Sequence, residues 1–470
     1  MQSRALMAMT YGYALLVSVV LAYFLFRIPI QLTDSLLNLV ALDGPFLEVM
    51  RGAAFEQGYL RPGLWAALKG VYDAAGGDYF VWYRGTHAVQ VLLVVVLFVR
   101  LLDVRSAAGA AAAVLAVAAL IGTHTFAWTV REAFPINTFL TILVCCAIAA
   151  NISIMRYRWW NDLLAILVFT AAALTLESGL LVLVIFVGGY VLGMPGVSRR
   201  GVAALVVLLA GYLWVRFSLL SVGTPTLAAR EGGFGFSRYN GAELMEMFGQ
   251  NPLGFYIYNS LSSISTVLFA EPRDGAWILT RSLVADGRPD GLLLFAFLST
   301  TLSTTLIVMY GWRRRMAWRA CAFSHGDRLV LLFAAVLGAN AAISYGYTKD
   351  VIMSPAGFFF AAALFVAVRD LLERTPTRSS RAVAPAAMIL LVLSATWAVR
   401  AVGLHAALVQ TSANVREEWT YVDEFLVSVG YDPPPPHVEA LARKLQHDAV
   451  VSHAARPMLR NEWTRFFEVD

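Results

Sequence analysis

The chain alternates long apolar runs with short polar breaks. A helix needs about 17 to 25 apolar residues to cross the hydrocarbon of a bilayer. Runs of that kind lie near 8–28, 86–102, 107–122, 134–154, 159–176, 179–195, 201–220, 290–311, 328–345, 352–369 and 383–403. The pattern predicts about eleven transmembrane helices. The stretch 253–270, "LGFYIYNSLSSISTVLFA", is apolar but dotted with Asn259 and serines, so it reads as an interfacial or re-entrant helix that does not span. The first run has no small-residue cleavage site and exceeds a signal-peptide core, which makes it a retained anchor.

Composition excludes a soluble domain: 59% of residues are hydrophobic and only 14% charged, with a mean hydropathy of +0.66. The expected fold class is an all-α polytopic membrane protein. The connectors "VRLLDVRS", "MRYRWWN", "GVSRRG", "WRRRMAWR" and "RDLLERTPTRSSR" are basic, and short basic loops stay in the cytoplasm. With Arg4 they put the amino end there and expose loops 29–85 and 221–289 on the other side. The expected organisation is a transmembrane domain over 1–409 and a short extracytoplasmic tail over 410–470. The net charge of +5 is largely this topology signal and gives no reason to expect a nucleic acid partner. Cys145, Cys146 and Cys321 have neither disulfide nor metal spacing. Arginine exceeding lysine, with abundant alanine, suggests GC-rich coding, hence a bacterial inner membrane with the outer loops in the periplasm.

Ionisable residues collect at the outer ends of the predicted spans: Asp34, Arg61, His87, His124, Arg131, Glu132, Glu177, Arg216, Lys349 and Asp350. Charges near hydrocarbon are costly and tend to face a cavity, pair, or mark a substrate path. Acids interleaved with bases suit a site that grips an anionic headgroup and removes a proton. Snorkelling at the interface is the plainer reading for several, Arg216 above all.

Five stretches carry a resemblance: "IQLTDSLLN", "YLRPGLWAALKGVYDAAGGDYFVWYRGTHAVQVLL", "HTFAWTVREAFPINTFLTIL", "TLESGLLVL" and "YTKDVIMSPAGFFFAAALFV". In that order the chain resembles the GT-C superfamily of integral-membrane glycosyltransferases. It is most similar to the branch of transmembrane and tetratricopeptide-repeat O-mannosyltransferases and their bacterial relatives, without the repeats. Where that branch has paired acids, Lys before Glu, and Glu-Arg, this chain has Asp34-Ser35, Leu176 and Thr348-Lys349, and Gly63 follows Arg-Pro in place of Leu.

The resemblance implies a GT-C-like fold with a long first outer loop, a sugar donor on a polyprenyl phosphate, and a protein, glycan or lipid acceptor. Asp34 is then the base of an inverting transfer, with a helix cap as its second reading, and Glu132 assists it. Arg131, Lys349, Arg216 and Arg61 grip the donor phosphate. For Arg61 the other reading is a clasp tying the first loop to the membrane. His87, His124, Glu177 and Asp350 support the site, with capping of the sixth helix as the second reading of Glu177. Read from the residues themselves, Phe234, Phe236 and Tyr239, set among glycines, are either a lid over the donor or interfacial anchors. Asp34 and Glu132 alone do not specify a metal, so a divalent cation stays open. Two further classes remain: a non-catalytic membrane scaffold of the same fold, and a lipid-linked sugar transporter or flippase, for which inverted repeats or broken helices are expected.

Overall fold

The computed structural model describes residues 2–52, 60–131, 138–220, 239–269, 280, 282–285, 287–288, 291–346, 348, 350–374 and 380–451. Every regular element among them is helical. In order these are α1 (Gln2–Leu25), α2 (Thr33–Ala41), α3 (Phe46–Arg51), α4 (Pro62–Ala75), α5 (Tyr79–Leu102), α6 (Ala107–Gly122), α7 (His124–Arg131), α8 (Thr138–Ile154), α9 (Trp159–Ala173) and α10 (Leu181–Val191). They continue as α11 (Arg199–Trp214), α12 (Gly241–Phe248), α13 (Leu253–Phe269), α14 (Gly291–Arg319), α15 (His325–Ile343), α16 (Ser354–Arg374), α17 (Ser380–Glu418), α18 (Val422–Ser428) and α19 (Pro436–Val451).

Starts of helices at the basic connectors are chemically marked. Ser106 caps α6 by accepting from Gly109 N at 3.0 Å, and Ser198 caps α11 by accepting from Gly201 N at 2.9 Å. Ser324 and Asp327 form a capping box on α15. Each satisfies backbone donors that would otherwise be orphaned at a helix start. Asp327, wholly buried, also takes Arg314 on both oxygens and the Trp318 indole N–H, which ties α14 to α15.

The main core is built around α16, whose residues from Ser354 to Val368 are all buried. A helix apolar on every side is one surrounded by other helices, and α6, α14 and α15 pack on it. Phe358 meets Phe98, and Phe360 meets Trp397 and Phe333. α11 is at the other extreme, with 11% of its apolar window buried, so its apolar residues face the membrane.

Seven helices among the described residues are long and apolar enough to cross a membrane, or eight if α6 and α7, bent by 60° at Thr123, count as one span. The chain is a multi-pass helical membrane protein. The sequence expectation of about eleven counted the runs of α8, α9 and α10 as full spans. These three are apolar but short, and at about 1.5 Å per residue a helix of 15 residues covers only about 22 Å of a hydrocarbon layer about 30 Å thick. For α9 and α10 the missing length lies in residues 174–176 and 192–195, turn residues that the hydropathy reading merged with the helices. α13 is 17 residues long and is not among the spanning helices. It lies on α14 and α15, and its buried Asn259 donates to Tyr345 O at 2.9 Å.

A second core lies beside the bundle. Ile30, Leu36, Leu39, Trp65 and Leu68 of the first loop pack with Trp419, Leu426, Val438 and Leu445 near the carboxyl end. Trp419 Nε1 donates to Ile30 O at 2.8 Å. Neither segment buries enough surface alone, and together they make one core. The last apolar run, expected to stop near 403, continues as α17 to Glu418 and so delivers Trp419 to the loop.

Candidate functional site

The described members of the ionisable set singled out in the sequence fall into three groups, and the best defined forms around Glu177. α9 ends at Ala173, and three residues on the extended Leu176 opens the 3-10 turn Glu177–Leu180. A Cβ on Gly179 would lie 2.1 Å from Ala172 O, so only glycine lets this turn close on α9. The start of α4 docks on the same turn: Gly63 N donates to Leu174 O at 2.9 Å. A side chain at Gly63 would press on Leu174 at 3.1 Å, a physical reason for glycine after Arg61-Pro62. Pro62 occupies the first turn of α4, where its missing N–H costs nothing.

These contacts bring Arg61 to Glu177, Nη2 to Oε2, at 2.9 Å. From the other side Arg216 Nη2 lies 2.9 Å from Oε1, an ion pair without hydrogen-bond alignment. Arg216 is nearly buried and donates through Nη1 to the Tyr212 hydroxyl at 2.9 Å. It sits in a π turn, Val215–Leu219, at the end of α11. An extra residue per turn re-aims side chains locally, which is why such turns recur at functional positions. Burial works against the Glu177 charge, but Arg61, its own turn backbone and Arg216 outweigh it and hold the carboxyl below the usual range. Two guanidiniums on one carboxylate leave the cluster cationic. The Arg216 Nε–H is buried with no hydrogen-bond partner among the described residues.

A second group surrounds the break between α6 and α7. His124 opens α7 and is buried, and α7 packs on the 3-10 turn Asp350–Met353, whose Asp350 is also buried. Thr348 Oγ1 is buried without a hydrogen bond among the described residues. Gly357 lies against Thr125, where a Cβ would meet Oγ1 at 2.2 Å. The break itself is held by Arg400, which the sequence reading passed over. Its Nε donates to Gly122 O at 3.0 Å, and its Nη1 donates to Ser299 and Thr300 at 2.9 Å.

His87, expected to support the site, packs beside Arg84. It lies inside α5, not at its start, and its Nδ1 contacts Arg84 Nη1 at 3.4 Å. Arg84, fully buried, donates to Ile28 O at 2.7 Å and Pro29 O at 2.6 Å. It therefore clasps the start of the first loop, the task considered above for Arg61. The signal was present as an arginine within an apolar run three residues before His87.

Asp34 lies in the first turn of α2. The N-cap there is Leu32, with no side-chain cap bond, so Asp34 is not the capping residue. Its side chain and that of Arg131, at the end of α7, lie outside the description, as do Glu132, Lys349, Phe234 and Phe236 entirely. Among the described residues no group of His, Cys, Asp and Glu could hold a metal ion. No family model, curated protein or solved structure matches this chain.

Proposed function

We propose that the protein is a GT-C-like multi-pass membrane glycosyltransferase. In this reading it moves a sugar from a polyprenyl-phosphate donor to an acceptor hydroxyl on the outer face of a bacterial inner membrane. The observation that carries the reading is the meeting of Arg61 and Arg216, 155 positions apart in the chain, on Glu177 at the end of α9. A net cationic pair with an unmet, buried Arg216 N–H suits the oxygens of a lipid phosphate. Glu177 orients both forks, and Arg131 and Lys349 are further cations for the donor phosphate in this reading. Asp34 takes the acceptor proton as the sugar carbon–phosphate oxygen bond breaks, and Glu132 assists; the released polyprenyl phosphate carries the negative charge.

One observation favours a scaffold. Glu177 already neutralises one arginine, as a purely structural clasp would. Sugar transfer by the full chain in liposomes, from a radiolabelled polyprenyl-phosphate sugar to membrane acceptors, separates the two readings. Asp34→Asn is expected to abolish transfer at normal expression, and Arg216→Gln to raise the donor concentration required. Transfer retained by Asp34→Asn removes Asp34 from catalysis. Identical glycoconjugate mass spectra from cells with and without the protein would overturn the transferase.

A further inference from the structure

At the end of the bundle remote from Glu177, a cavity of about 530 Å³ opens between the first turns of α1, the last turn of α5, the end of α8 and the start of α15. Its size lies within the range of about 300–1,000 Å³ typical of small-ligand sites. The lining divides by chemistry. Met7, Val99 and Met155 supply an apolar wall, and Arg100, Arg105 and His325 supply the polar rim.

The rim is cationic by arrangement. Asp103 ends α5 with a left-handed φ of 50°, which turns the chain so that Arg100 and Arg105 border one opening. Asp103 is already neutralised: Arg105 reaches its two carboxylate oxygens at 3.0 Å and 2.7 Å. Arg100, exposed, makes no ion pair or hydrogen bond among the described residues. His325 Nε2 lies 3.2 Å from Leu101 O, which fixes its ring at the mouth and leaves Nδ1 free of that contact. At His325 the field of Asp103 is opposed by those of Arg369, which also pairs with Glu373 at 3.9 Å, and Arg328. On the membrane side α1 presents Met9, Leu15 and Leu16 outward, so an acyl chain can lie along the wall while its head enters the rim.

We infer that this cavity binds the phosphate headgroup of an anionic phospholipid, with Arg100 as its principal cation. A basic pocket between transmembrane helices is the physical form such recognition takes. The site is independent of the transferase reading and stands or falls without it.

The test is native mass spectrometry of the full chain released from nanodiscs of phosphatidylcholine with a minor share of phosphatidylglycerol. The intact protein is expected to retain phosphatidylglycerol preferentially. Arg100→Gln, at an exposed position that leaves the fold intact, is expected to lower that preference by about fivefold, the worth of one cation near a charged headgroup. Arg156→Gln, which removes an exposed charge from a neighbouring connector but not from the cavity, is expected to retain it. Equal losses in both variants, or none in Arg100→Gln, would overturn the site. A further arm adds excess inorganic phosphate in pure phosphatidylcholine. Arg100-dependent thermal stabilisation there would assign the cavity to a soluble phosphate and overturn the lipid.

Discussion

A carboxylate held between two guanidiniums favours its ionised form, and this gives Glu177 a definite pH signature. Its carboxyl is held below the usual range in the folded protein. The stabilisation it brings is therefore present above the unfolded value of about 4.3 and is lost as pH falls through the lower, folded value. Melting temperatures measured between about pH 3 and pH 7 should fall at the acid end in the native chain, and Glu177→Gln should flatten that arm. Gly179→Ala should cost about 1–3 kcal/mol, because its new methyl meets Ala172 O. Gly70→Ala, in α4 with nothing within 4 Å, should be neutral or stabilise by about 0.5–1 kcal/mol. Equal melting temperatures for the two alanine variants would show that the turn does not need its glycine. Glu177, Arg61 and Arg216 were visible in the sequence because charges are scarce in so apolar a chain. The Arg84 and Arg400 clasps were not identified, since their partners include backbone carbonyls, and a carbonyl has no letter in the sequence.

At the scale of elements, the bend between α6 and α7 depends on one residue of another helix. Arg400→Met removes the donors that satisfy Gly122 O, Ser299 and Thr300, and should destabilise the protein by about 1–3 kcal/mol. Arg400→Lys should recover little of this, because an ammonium on a flexible stem cannot reproduce the fork. Thermal unfolding in detergent measures both, and full recovery by lysine would show that charge alone suffices. Hydropathy located the apolar runs well, but it placed their ends poorly. α5 starts at Tyr79, not 86, and α17 runs to Glu418, because a helix continues past its apolar stretch wherever other residues cover it. The run 107–122 matches α6 and stops at the break, but the helix that follows it was not visible. α7 falls in a segment that composition reads as loop, and its helical form rests on packing against α16 and the Asp350 turn.

At the scale of the whole molecule, the first loop and the carboxyl end stabilise each other. Trp419 is fully buried in their shared core, and Trp419→Ala should cost about 3–5 kcal/mol at that core. Limited proteolysis of the variant in detergent should cut the first loop early while the bundle around α16 survives. Simultaneous loss of both would show one cooperative unit. The sequence pattern gives a loop over 29–85 and a short tail over 410–470, but nothing local says that Leu36 and Leu445 belong to one cluster.

The sequence alone determined the solvent, the helical class and the approximate course of the apolar runs, since these follow from the transfer energy of each short stretch into hydrocarbon. It also marked Glu177, Arg61 and Arg216 as costly charges that needed a reason. Only the tertiary structure decided which charges meet, that His87 lies against Arg84, and that the first loop packs with the carboxyl end. Those outcomes depend on contacts between residues far apart in the chain, whose energies exist only once the helices have packed.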